Sequence, residues 1–75
     1  MHEYLVPKKD DQSTGDHNAA VQLLQECAGA TDLGEFIPDG KTDPVGRLCR
    51  TDRLLTREAC DLTGAVLYYS ERAAA

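Results

Sequence analysis

The sequence predicts a mainly α fold, and three observations carry that expectation. Apolar residues recur at helical spacing between positions 17 and 29. A second apolar stripe runs from Val45 toward the C-terminus with the alternating steps of three and four that one helix face requires. Capping residues stand where both should begin: Asp16 before the first, and Thr42 or Asp43 followed by Pro44 before the second.

Taken in order, "HEYLV" (2–6) reads as a short strand closed by Pro7, and "KKDDQSTG" (8–15) as a polar loop. Residues 1–15 are thus an N-terminal arm, and 16–73 the helical core of one small domain spanning 1–75. The first helix is expected over about 17–29. Ala20, Leu23, Leu24, Cys27 and Ala28 line one face, and Gly29 stops it. Residues 30–43 form a loop with two glycines, a proline and a tight "PDG" turn. A short helix follows from about 44 to 50, carrying Val45 and Leu48. Thr51–Asp52 breaks the stripe, and a longer helix resumes it through Leu55, Ala59, Leu62, Val66, Tyr69 and Ala73. The two principal helices pack antiparallel in this reading. The alternative ends the last helix at Gly64 and makes "AVLYYS" a strand, because Val and Tyr favour strands and Gly ends helices. The terminal segments then pair as strands and the fold is α+β.

Composition bounds the function. The chain has 75 residues, a formal charge of −5, no Trp and one Phe. A domain of this size buries little core, so contacts with a partner or a second copy would add to its stability. Net acidity opposes nonspecific binding to phosphate backbones and suits a partner with a basic surface. The three cysteines, Cys27, Cys49 and Cys60, lack paired spacing, which points to reduced thiols in a cytoplasmic protein. No apolar leader follows Met1, and no run approaches the roughly 20 apolar residues of a membrane helix.

Several motifs fall short of a chemistry. "LLTREACDLTG" (54–64) resembles the opening helix of a helix-turn-helix, but no recognition helix follows the turn. "GEFIPDGKT" (34–42) misses the phosphate-loop spacing by one residue, five separating Gly34 from Gly40. Cysteines and histidines show no CxxC or HxxxH pair, so no metal ligand set, cofactor site or catalytic constellation is expected. Two charged groups remain. Arg47, Arg50, Arg53 and Arg57 would form one basic stripe on a continuous helix. Asp32, Glu35, Asp39 and Asp43 are loop carboxylates dense enough to mimic spaced phosphates.

The sequence therefore predicts a non-enzymatic binding protein that inhibits or modulates a larger protein with a basic, nucleic-acid-binding surface. Asp32, Glu35, Asp39 and Asp43 would make the contact. Small acidic inhibitors of phage type, including anti-CRISPR proteins, belong to this class. One alternative is a nucleic-acid-binding or regulatory protein using the arginine stripe. Another is a homodimeric interaction module with Leu55, Leu62, Val66 and Tyr69 as the seam.

Overall fold

The computed structural model describes residues 1–70 and shows an α+β fold. The elements are β1 (His2–Pro7), α1 (Thr14–Ala28), β2 (Thr31–Phe36), β3 (Gly46–Thr51), α2 (Arg57–Thr63) and β4 (Val66–Ser70). The four strands form one antiparallel sheet in the order β2-β3-β1-β4. Each helix connects two parallel strands that have another strand between them. Element order and strand order together make the split β-α-β arrangement of ferredoxin-like sheets.

α1 forms where the sequence places a helix, with its start moved. Ser13, not Asp16, is the N-cap, its hydroxyl accepting from the Asp16 N–H at 3.1 Å. Gly29 ends the helix in the left-handed region at φ 65°, and the Ala30 N–H returns to the Leu24 carbonyl. The inward face is His17, Ala20, Val21 and Leu24. Leu23, Cys27 and Ala28 are instead exposed. The loop after β2 contains the expected turn, closed by the Lys41 N–H on the Pro38 carbonyl with Gly40 at φ 78°.

The mainly α expectation fails at two places. Residues 46–51 are strand β3, not part of a helix over 44–50. The extended path begins at Val45, whose N–H meets the Phe36 carbonyl and whose carbonyl accepts from Lys8. A Cβ on Gly46 would lie 2.7 Å from Pro7 Cα and closer still to the Val6 carbonyl. Only glycine lets β3 approach β1 at that point. Arg and Leu favour helices locally, but fixing Cys49 between β1 and α1 outweighs that weak preference.

The long C-terminal helix is the second failure. α2 starts at Arg57, with the Thr56 hydroxyl accepting from the Ala59 N–H at 3.1 Å. It ends after seven residues, with Gly64 in the left-handed region at φ 76°. The Thr63 hydroxyl donates to the Ala59 carbonyl and accepts from the Ala65 N–H, which fixes the exit. Residues 66–70 then pair with β1, so the two terminal segments meet as strands. The heptad-like spacing across Gly64 was coincidence, and its last member, Ala73, lies outside the described residues.

Both helices cover one face of the sheet. Tyr4, Val6 and Cys49 point into that layer and meet Val21 and Leu24, with Leu55 and Cys60 packed alongside. Two polar anchors tie the layers together. His17 Nε2 lies 2.8 Å from the Val6 carbonyl, which can only accept, so this nitrogen carries the proton. The Tyr4 hydroxyl accepts from the Leu55 N–H at 2.9 Å. Among the described residues no helix is long and apolar enough to cross a membrane.

Candidate interaction surface

Strand alternation sends every second residue to the face that no helix covers. The register resolves that open face into rows. Gly34, Leu48, Leu5 and Val66 stand side by side across all four strands. Phe36, Gly46 and Pro7 form the next row, and Thr31, Arg50, Glu3 and Tyr69 the row on the other side. The central row is apolar, and a charged pair of opposite sign, Arg50 and Glu3, stands in register beside it.

One aromatic contact spans this face. Tyr68 on β4 and Phe36 on β2 belong to opposite edges of the sheet, yet their rings meet edge-on with centroids 4.8 Å apart. Leu5 and Leu48 on the same face are half-buried although no helix covers it. The register slip that lets β4 carry one extra residue opposite Glu3 and Tyr4 falls at Tyr68. Val66, Tyr68 and Tyr69 remain 58, 53 and 50% exposed. Apolar area left exposed together in this way makes the open face the candidate interaction surface.

The predicted acidic group is only partly kept together. Asp32 sits on β2 on the helix side, where it bridges Arg47 Nη2 at 2.5 Å and accepts from the Gly34 N–H. It is therefore a structural residue, and its carboxylate is not offered to a partner. Glu35, Asp39 and Asp43 are exposed, the latter two in the loop between β2 and β3. Glu35 pairs with Arg47 and so shares its helix side, whereas the loop leaves β2 at Phe36 on the open face, with Ile37 and Val45 also exposed there.

The arginine stripe required a helix from 47 to 57, and the strand removes it. Arg47 lies on the helix side, held by Asp32 and by Asn18 Oδ1 at 3.1 Å. Arg50 points to the open face, Arg53 lies in the loop after β3, and Arg57 opens α2. The seam is likewise divided. Leu55 packs against the core, Leu62 is exposed on α2, and Val66 and Tyr69 belong to the open face of β4.

A second apolar hollow of about 470 Å³ separates α1 from α2, lined by Leu23, Cys27, Leu54, Ala59 and Leu62 among others. Cys27, Cys49 and Cys60 are all free, and Cys49 is fully buried. Burial pushes the Cys49 thiol up to about 11; the Asp32 carboxylate adds to this and Arg47 offsets it. Among the described residues no three His, Cys, Asp or Glu side chains are placed to hold a metal ion.

Sequence reasoning missed Leu5, Phe36, Leu48 and Tyr68 as surface residues. Their signal was period-two alternation within short strands, such as Glu3-Tyr4-Leu5-Val6, where both faces carry apolar residues and the pattern is blurred. No protein-family model matches the chain, no curated protein is significantly similar to it, and no solved structure matches it significantly.

Proposed function

We propose that this protein is a non-enzymatic binding module that inhibits or modulates a larger protein, docking through the open face of its sheet. The observation that carries the reading is the half-exposed apolar face itself. Phe36 and Tyr68 span it, and the exposed acids Asp39 and Asp43 supply a charged rim where the chain leaves β2 at Phe36. An apolar centre with a charged rim is the usual anatomy of a protein–protein interface. The rim and the net charge of −5 fit a partner whose apolar patch is bordered by Lys and Arg. Many basic surfaces of that kind bind nucleic acid, and covering one would block it. The free cysteines support a reducing, cytoplasmic setting.

The test uses a partner identified by affinity capture and mass spectrometry and then purified. Calorimetry compares the native chain with an Asp39→Lys, Asp43→Lys variant. We expect affinity to fall at least tenfold in the variant and to weaken with salt in the native chain. Equal affinities would refute the charged rim. An oligonucleotide shift that disappears in Arg50→Ala would move the reading to nucleic acid on the same face.

A further inference from the structure

β2 and β4 are the edges of the sheet, and they differ in how their edges are guarded. Both carry a one-residue bulge, so bulging does not distinguish them. β2 holds two carboxylates, Asp32 and Glu35, and a glycine at φ 98° whose N–H is already taken by Asp32. Charges and occupied amides are how an edge strand is kept from pairing. β4, "VLYYS", has no charged residue, no proline and no glycine, and all five of its residues are exposed. Its only strand neighbour among the described residues is β1.

We propose that β4 pairs antiparallel with β4 of a second copy of this chain, joining two four-stranded sheets into one. An antiparallel pairing of identical strands is related by a two-fold axis, so the edge must be complementary to itself. The neutral sequence meets that condition. Every residue of β4 is uncharged, so no like charges within 66–70 face each other whichever register the axis selects. The acidic edge at β2 would place carboxylates of the two copies together and fails the same condition. The pairing also extends what one chain leaves unfinished. The apolar row Gly34–Leu48–Leu5–Val66 ends at the β4 edge, where a second strand would take its last member, Val66, out of water. β4 alone supplies four of the eleven large hydrophobic residues left exposed among the described residues.

The charge balance gives this proposal a sign opposite to that of the docking reading. Two chains of −5 repel over distance, while the joining strands are neutral, so added salt strengthens dimerisation. Binding of a basic partner weakens under the same change, and either reading can fail without the other.

Sedimentation equilibrium from micromolar to millimolar protein tests the dimer. The expected mass rises from 8.2 kDa toward twice that value, at lower concentration when salt is raised. A chain that stays monomeric throughout overturns the proposal. Hydrogen exchange on the native chain locates the contact: amides within 66–70 should slow at least tenfold as dimer forms. A dimer with unchanged exchange there, or with slowing confined to β2 or the groove between the helices, overturns it equally. Leu67→Lys, placing a charge on the edge, should raise the dimer dissociation constant at least tenfold. An unchanged constant in a folded variant counts against β4 pairing, and the exchange measurement decides the case if that variant does not fold.

Discussion

The two faces of this sheet are built from alternate residues of the same strands, yet they do different work. On the helix side Tyr4, Val6 and Cys49 are 3, 0 and 0% exposed. On the other side Val66 and Tyr68 keep more than half their surface in water. Sequence neighbours such as Leu48 and Cys49 fall on opposite sides of this divide. The difference lies in what covers each face, since hydrophobicity alone does not separate the two sets. Stability is concentrated under α1, and the apolar area left over on the open face is available for recognition. Substitutions on the two faces should therefore separate stability from binding.

The largest expected effect comes from Leu24→Ala. Leu24 is fully buried against the helix side of the sheet, and truncating such a leucine costs about 2–5 kcal/mol. A chain of this length has roughly 4–11 kcal/mol of total stability, so the variant should lose a large part of its urea resistance. Val66→Ala on the open face removes atoms already in water and should cost less than about 1 kcal/mol. Comparable midpoints for the two variants would erase the distinction between the faces.

Cys49 sharpens the comparison by a different route, because its thiol titrates inside the covered layer. The folded state holds the proton up to about pH 11, whereas the unfolded chain loses it near 9. Between those values the folded state binds more protons, so stability falls as pH rises. The contribution is complete below about pH 9 and is lost through pH 11, by roughly 2–3 kcal/mol in full. Denaturation midpoints measured at intervals across that window should decline more in the native chain than in Cys49→Val. Parallel declines would mean that burial on the helix side does not control this thiol.

The residues that announced themselves in the sequence were those whose role is local. Ser13, Gly29, Thr56 and Gly64 act within a turn of chain, and both helices, their glycine stops and the Pro38–Gly40 turn follow from such signals. Gly29 is legible as a stop, Gly64 only in the alternative α+β reading, and Asp16 stands in the sequence where Ser13 caps in the structure. The strands were harder because their cause is remote. β3 is extended because Gly46 fits against Pro7 and Cys49 fits under α1, contacts some forty and twenty-five residues away in the chain. Arg47 stands in the sequence as one of four spaced arginines, and only the register with β2 reveals that Asp32 neutralises it. The open face was least legible of all. Phe36 and Tyr68 lie far apart in the sequence, and no local pattern signals that their rings meet.

That ring pair provides the smallest effect and the most direct probe of the open face. An edge-on aromatic pair contributes about 0.5–1.5 kcal/mol when its surroundings are dry, and Tyr68 is half exposed, so Tyr68→Ala should cost about 0.5–1 kcal/mol. Tyr68→Phe keeps the ring and should cost almost nothing, since no hydrogen bond to the Tyr68 hydroxyl is present among the described residues. The Phe36 ring protons should lose their ring-current shift in the alanine variant and keep it in the phenylalanine variant, which proton NMR reads directly. Partner binding should follow the ring, falling at least tenfold in Tyr68→Ala while the urea midpoint barely moves. A large stability loss with unchanged binding would assign Tyr68 to the core instead. The open face would then be a second structural layer, held by its own aromatic clasp, and the docking surface would have to lie on the helices.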